Sequence, residues 1–549
     1  FLAWFTLLGG TMWLRTRLRR QVASIRVVAA SDLVAQVALN KSGDYVTVRQ
    51  KLLAGFSSDE SLLYVREESV ELWNFLQSAA NQGLNVSVDG PPGTGKSTQV
   101  YAWALWAAKT QGITVTWYHL SKRHSVKVVI DGTGLMKQYI VATKKVDDDI
   151  GLCGGNMIVV DGITKGNSGF MTGACHAWRV TGEALGQRRR WIVVSSVSVV
   201  VAEEQNQEAN LVTFTVASWT IAQYESACSN DVFYDSIKQN LECPDFSLDN
   251  NSPEELLHGK FYFAGGCARW MFEFDYATFL SDFESHCSKV TDFNLVFSGG
   301  TGDAVAVAVN HMRRVKVQMV GARQRKQNFF VSKYALAEFA KKCGNMPQFL
   351  SSCYRHADLV NNPAFRGWVF EFDVDFQLTS ASTNNARLGA RARPPAGDCA
   401  GYSQPITGYI EFSSPADLIA PLQGLGAAAV LWAKPALWCN KAYDFLCFWR
   451  TGDNLNMVAA NATSGAQHSV KLDAVHELGV FLGGNDCAVE SIRFDFLVPI
   501  GAEFEVGPVE GRLCKWKNLL GTPWPNRSDA ASYVGNSCIA VADMAVTRV

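Results

Sequence analysis

The segment "VDGPPGTGKSTQ", Val88 to Gln99, constrains this chain more than any other. Gly90, Gly95, Lys96 and Ser97 satisfy the spacing G-x-x-x-x-G-K-[ST]. "LNVSVDG" leads in as a short buried strand, and "KSTQVYAWALWAAKTQG" leads out as a helix stopped by Gly112. Glycines let the backbone turn so that successive N–H groups point inward, and the positive end of the following helix adds to the attraction for an anion. The order predicts a phosphate-binding loop shaped by Gly90, Gly93 and Gly95. Lys96 is expected to reach the β- and γ-phosphates of ATP or GTP and Ser97 to contact Mg²⁺, with Thr98 beside it in the first helical turn.

"MIVVDG" places Asp161 at the tip of an apolar strand, 65 residues after Lys96. A carboxylate there holds a Mg²⁺ shell; the plainer reading is an Asp that starts a turn before Gly162. Many ATPases follow this Asp with a Glu that orients the attacking water, and here the next residue is Gly162. Asp147 to Asp149, Glu203 and Glu204 are the candidate replacements, against the ordinary role of solvated loop acids. Ser195 and Ser196 end the apolar run "RRRWIVVSS" and either bond the γ-phosphate or simply close a strand. Arg269, in "AGGCARWMFEF", either reports on the γ-phosphate or pairs with a nearby carboxylate.

A chain of 549 residues is too long for one hydrophobic core, so two to four domains are expected. "ITVTWYHLS", "NMIVVDG" and "RRRWIVVSSVSVVV" are continuous apolar runs of the kind buried on both faces of a parallel sheet. With the strand and helix around the loop they predict an α/β domain over 60–285. The segment "SLLYVREESVELWNFLQSAANQG" before it fits a helix ended by Gly83. A mixed α/β domain is expected over 286–505. It contains one stretch of linker composition, Thr379 to Pro405, expected as an exposed insertion. Residues 506–549 are expected as a C-terminal extension.

The net charge of −1 gives no overall electrostatic case for nucleic acid, so any such surface has to be local. Arg313, Arg314, Lys316, Arg323, Arg325 and Lys326 are dense enough for phosphate contacts or an import patch, or form an ordinary solvated face. Fourteen cysteines without a C-x-x-C pair argue against a zinc site or a disulfide framework and for reduced, mostly buried thiols. Residues 1–59 are left unassigned. Their apolar start of about 14 residues is too short to span a bilayer, and its arginines follow rather than precede it. A truncated or wrongly assigned start is expected, with a clipped membrane anchor as the alternative; no integral membrane partner is predicted.

Six stretches occur together in order: "GPPGTGKSTQVYAWALWAAKTQGITVTWYHLSK", "WIVVSSVSV", "VASWTIAQYESA", "FYFAGGCARWMFEF", "GWVFEFDV" and "KPALWCNKAYDFLCF". In this the chain resembles, over roughly residues 60 to 500, the Crinkler proteins. These are effectors of oomycetes and chytrid fungi related to the retrotransposon hot spot proteins of trypanosomes. The resemblance implies a P-loop NTPase followed by a restriction-endonuclease-like domain, secretion, and action in the host nucleus. It implies that Asp444 in "KAYDFLCF" and Glu371 in "GWVFEF" hold a catalytic Mg²⁺. Where the family carries an acidic residue or Gln, one intervening position, then Lys or Thr, this chain has Asn461 to Thr463, "NAT". A neutral amide holds metal less strongly than a carboxylate, and the family's N-terminal header is not visible before residue 60.

Three functions follow. The first is nucleotide-controlled, Mg²⁺-dependent cleavage of DNA. The second is a non-catalytic nucleotide switch whose degenerate nuclease fold binds host proteins or DNA. A plain remodelling ATPase is the third and weakest, since no second motor domain is visible.

Overall fold

The computed structural model describes residues 26–28, 41–49, 54–56, 60–121, 123–196, 210–298, 303–320, 323–394, 399–436, 443–513, 515–525, 533–534 and 537–546. Most of the unassigned N-terminal segment, together with Glu203 and Glu204, lies outside them. The protein is mixed α/β and divides into two compact units, Phe1–Ala335 and Leu336–Val549.

The first unit is built on an eight-stranded sheet in the order β1-β7-β6-β5-β8-β9-β4-β10. Its strands are β1 (Arg26–Val28), β4 (Asn85–Asp89), β5 (Val115–His119), β6 (His124–Ile130), β7 (Met136–Ala142), β8 (Met157–Ile163), β9 (Arg190–Ser195) and β10 (Leu211–Thr215). A separate hairpin joins β2 (Tyr45–Arg49) to β3 (Glu60–Tyr64). The strands β5, β8, β9, β4 and β10 run parallel, whereas β6, β7 and β1 extend the sheet as an antiparallel flank. The expected parallel sheet is therefore mixed. The opening "SLLY" of "SLLYVREESVELWNF" belongs to strand β3 rather than to a helix; the helix itself, α1, is Glu67–Gln82.

Alternation along the strands separates two cores, because successive side chains of a strand face opposite sides. Val86, Val88, Val115, Trp117, Val159 and Val194 pack with Leu72 and Leu76 of α1 and with α2 (Lys96–Gln111). Tyr118, Ile158, Val160, Trp191 and Val193 pack on the other side with Met171, Cys175 and Trp178 of α3 (Lys165–Ala184). Helices on both faces explain why these strands are continuously apolar.

The unit continues past the expected boundary at residue 285. After α4 (Pro253–Ala264), a π-helical turn (Arg269–Glu273), α5 (Tyr276–Cys287) and α6 (Asp303–His311), the hairpin β11 (Arg313–Val320) and β12 (Arg323–Phe330) returns to the sheet. The Ser218 N–H donates to Val315 O at 2.9 Å, and Thr215 N–H donates to Gln324 Oε1 at 2.8 Å. These bonds fix the basic segment within the first unit.

The second unit holds a seven-stranded sheet in the order β13-β21-β19-β17-β16-β15-β14. Its strands are β13 (Ala390–Ala392), β14 (Gly408–Phe412), β15 (Val430–Pro435), β16 (Phe445–Thr451), β17 (Asn454–Ala462), β19 (Val489–Pro499) and β21 (Ile539–Met544). A small parallel pair, β18 (Gln467–Lys471) with β20 (Glu505–Glu510), lies beside it. The helix α7 (Pro363–Thr383) and the helix α8 (Asp473–Gly483) complete the parts that bear on function.

Two sequence expectations are corrected here. The stretch from Thr379 is not an exposed insertion: α7 runs into it, β13 pairs with β21, and Leu388, Cys399 and Tyr402 are buried. The residues after 505 are not an appendage, since β21 lies between β13 and β19. Polar composition hid a few apolar side chains that decide both outcomes.

Candidate functional site

The loop Gly90 to Ser97 leaves the carboxyl end of β4, one strand away from β8. Val88 stands opposite Val194 of β9, and Val194 stands opposite Asp161 of β8. Asp89, Ser195 and Asp161 thus reach the same edge of three neighbouring parallel strands, the edge at which α/β sheets bind ligands. Gly93 adopts φ 73°, and a Cβ there would lie 2.4 Å from Cys267 Sγ, so only glycine fits. Gly95, at φ 89°, opens α2, and no side chain caps that helix end. Its first-turn N–H groups therefore face the loop as donors for an anion.

The Ser97 hydroxyl donates to Asp161 Oδ1 at 2.7 Å. Oxygens in adjacent positions of an octahedral Mg²⁺ shell stand about 3 Å apart, given bonds of about 2.1 Å. The pair therefore has nearly the spacing that the ion demands. The second oxygen, Asp161 Oδ2, meets His119 Nδ1 at 2.7 Å, with His119 opposite Asp161 across the β5–β8 ladder. A carboxylate anchored this way is oriented before any metal arrives.

Lys96 Nζ donates to Pro91 O at 2.6 Å within its own loop. Burial pushes its ammonium down to about 8, while the carboxylates of Asp161 and Asp89 oppose that shift. At the carboxyl ends of β4, β9 and β10 and on α2, Asp89 Oδ1, Ser195 Oγ, Thr215 Oγ1 and Gln99 Oε1 are buried without a hydrogen-bond partner among the described residues. Orphaned polar atoms are costly to bury; the Ser195 and Thr215 hydroxyls can donate to a phosphate oxygen, whereas Asp89 Oδ1 and Gln99 Oε1 only accept and suit a donor or a cation. The residues present thus fit a nucleotide triphosphate with Mg²⁺: Ser97 and Asp161 would hold the ion, and the loop and Lys96 the phosphates.

Arg269 shows the carboxylate pairing of its plainer reading and also stands beside the loop. Its Nε lies 3.6 Å from Glu273 Oε2, an exposed pair worth little. Its neighbour Ala268 donates from its N–H to Gly93 O at 3.0 Å, which sets the arginine against the loop. The proposed alternative bases fare differently. Asp149 Oδ2 accepts from Tyr118 Oη at 2.5 Å and from Lys127 Nζ at 2.7 Å, so it is occupied structurally.

The basic segment is largely structural. Arg313 is buried and donates to Val296 O at 3.0 Å and Leu295 O at 2.9 Å, and Arg314 donates to Trp219 O at 2.8 Å. Lys326 forms an ion pair with buried Asp89. Lys316 and Arg325 remain exposed. A patch of six free cations for nucleic acid is therefore not what the hairpin offers.

Arg66 and His119 were not singled out in the sequence, and Lys326 was, but not as the partner of Asp89. Arg66, buried at 1 % exposure, donates from Nη2 to Thr94 O at 3.0 Å and stacks over Trp219 at 4.6 Å. His119 and Lys326 clamp Asp161 and Asp89. Only the aromatic run "TWYH" hinted that His119 ends a strand beside Asp161.

In the second unit, Asp444 precedes β16 and its N–H donates to Ala460 O at 2.9 Å. Continuing the β16–β17 register sets Asp444 opposite Asn461, and Asp444 Oδ2 accepts from Ala462 N–H at 2.8 Å. Thr463, two positions on, donates from its N–H to Leu497 O at 2.9 Å. Strand pairing thus brings Asp444, Asn461 and Thr463 to one end of the sheet. Glu371 lies on α7, one turn ahead of Asp375. Lys434 Nζ donates to Asp375 Oδ2 at 2.6 Å, and the Tyr409 hydroxyl bonds the other oxygen. A carboxylate of α7 that engages a sheet lysine is Asp375, a residue the sequence did not single out.

Comparison with protein-family models and with curated proteins finds no match for this chain. Among the described residues, no helix is long and apolar enough to cross a membrane.

Proposed function

We propose that the first unit binds ATP or GTP with Mg²⁺ on the loop Gly90 to Ser97 and that the nucleotide state controls a nuclease-like second unit acting on DNA. The observation that carries the first half is the contact of Ser97 with Asp161. A P-loop NTPase domain is the finer reading of the first unit, supported by the loop, by Asp161 one strand beyond β9, and by orphaned Ser195 between them. A restriction-endonuclease-like domain is the finer reading of the second. It is supported by the succession of helix α7, antiparallel strands β15, β16 and β17, helix α8 and strand β19, with Asp444 and Asn461 opposed. The Crinkler resemblance, with secretion and a host nucleus as the place of action, belongs to the same proposal.

A second reading has its own support. Asn461 is neutral where a metal site wants charge, and Gly162 stands where hydrolysis wants a base. Both favour a nucleotide switch whose second unit binds host proteins or DNA without cutting. The first test is nucleotide binding by calorimetry with Mg²⁺: the full chain binds and Lys96→Ala does not. Equal binding by both would refute the phosphate assignment.

A further inference from the structure

The segment that follows the phosphate loop's neighbour Arg269 brings three donor side chains together. Asp282 and His286 lie one turn apart on α5, a spacing that shares a helix face, and His311 ends α6. One donor atom from each falls within 4.8 Å of the other two. His286 Nε2 is 3.6 Å from Asp282 Oδ1, and His311 Nδ1 is 4.0 Å from Asp282 Oδ2. Both distances are too long for hydrogen bonds. The two imidazoles stack with centroids 3.9 Å apart and planes at 8°, and the buried Nδ1 atoms of both lack a hydrogen-bond partner among the described residues.

Three polar groups that face each other without bonding carry a desolvation cost. A cation between them takes a lone pair from each group and, through His311 Nδ1, satisfies one of the two orphaned nitrogens. We propose that Asp282, His286 and His311 bind a divalent transition-metal ion of the zinc class. Two imidazoles and one carboxylate form a donor set for such ions rather than for Mg²⁺ or Ca²⁺, which prefer oxygen throughout. The chemistry of the neighbourhood agrees. Burial first, then the neighbouring His286 ring and the charges of Arg269, Lys96 and Lys289, hold His311 down at about 3. Burial, with Lys289 and against Asp282, lowers His286. Neutral rings present lone pairs to an ion; the nearby cations oppose a dication, and the Asp282 carboxylate offsets part of that repulsion.

The geometry needs only a modest change. Ligands on a tetrahedral ion with bonds of about 2.0–2.1 Å are about 3.3 Å apart, so the gaps of 3.6 and 4.0 Å close by about 0.3 and 0.7 Å, and the third, within 4.8 Å, closes as one ring turns. Parallel rings cannot aim both lone pairs at one point, so one imidazole turns out of the stack as the ion enters. Asp282 is already oriented: Trp270 Nε1 donates to its Oδ2 at 2.8 Å. Trp270 sits in the same turn as Arg269, so the ion ties α5 and α6 to the segment against Gly93. The fourth coordination position is left for water or an added ligand.

The test is a titration of the metal-stripped full chain with Co²⁺, followed by Zn²⁺ competition. The expected result is one Co²⁺ per chain, with the visible absorption of a four-coordinate nitrogen and oxygen site and no thiolate charge-transfer band from the cysteines. His311→Ala and His286→Gln each weaken binding at least tenfold, and Trp270→Phe, which only loosens Asp282, weakens it about tenfold. A wild-type chain with no such spectrum, or with a thiolate spectrum, overturns the proposal whatever the variants do. So does wild-type affinity in both histidine variants.

Discussion

Ser97 and Asp161 are separated by 64 residues, yet the serine hydroxyl donates to the Asp161 carboxylate at 2.7 Å across the mouth of the phosphate loop. Neither residue needs to travel to share an ion. Asp161→Asn keeps the hydrogen bond's shape and removes the charge. It is expected to abolish the Mg²⁺ enhancement of nucleotide binding while nucleotide still binds weakly through the loop. Calorimetry with Mg²⁺ and with a chelator measures this; an undiminished Mg²⁺ effect would place the ion elsewhere.

His119 holds the other oxygen of Asp161. Partners of this kind set the orientation of a metal-holding carboxylate, and their loss typically weakens metal binding about 10–100-fold. His119→Ala is expected to raise the Mg²⁺ concentration needed for half-maximal nucleotide binding by such a factor, while His119→Asn, which retains a donor, recovers part of it. An unchanged Mg²⁺ requirement in His119→Ala would make the contact incidental.

Lys96 gives the site a pH dependence. Burial lowers its ammonium to about 8, and bound phosphate favours the charged form. Below pH 8 the lysine is already charged and nucleotide binding is flat. As pH rises through 8 the empty site loses its proton, and binding must take one up. Affinity is expected to fall roughly tenfold between pH 7 and pH 9. Lys96→Arg, which stays charged, is expected to flatten that slope, and a wild-type affinity independent of pH would contradict the assignment.

How much of this was legible in the sequence depended on distance along the chain. Gly90, Gly95, Lys96 and Ser97 declared themselves because a local backbone turn needs glycine at fixed spacing, and Asp161 because it ends an apolar run. Arg66, His119 and Lys326 act through partners 28, 42 and 237 residues away, which no local pattern encodes. The stretch from Thr379 misled for the opposite reason. Its Ser, Asn and Gly content signals a loop, whereas burial of Leu388, Cys399 and Tyr402 ties it to the sheet. In the second unit Asp444 and Asn461 were singled out only through the Crinkler resemblance, and their opposition depends on the register of β16 and β17.

Lys326 joins the hairpin to Asp89, a carboxylate at 3 % exposure. Removing one partner of a buried pair leaves the other charge without compensation. A fully buried pair broken this way costs about 3–5 kcal/mol; because the lysine is a third exposed, Lys326→Met is expected to cost less, about 2–3 kcal/mol, read from the first urea transition of the full chain. Adding Asp89→Asn should recover most of it. A destabilisation that the second change fails to relieve would show that the lysine acts through packing.

Asp444 decides between the two readings of the second unit. Its Oδ2 accepts from the Ala462 N–H, so the carboxylate is fixed at the strand end whether or not it holds a metal. If the unit cuts, purified protein nicks supercoiled plasmid with Mg²⁺, and Asp444→Asn, which keeps the acceptor oxygen, loses the activity by at least a hundredfold without losing stability. Restoring charge at the opposing position with Asn461→Glu is then expected to raise the rate, since a carboxylate holds Mg²⁺ where an amide holds it weakly. If wild type and Asn461→Glu are both silent while DNA or protein binding still follows the bound nucleotide, the switch reading stands. Nicking that survives Asp444→Asn would assign the cut to another site.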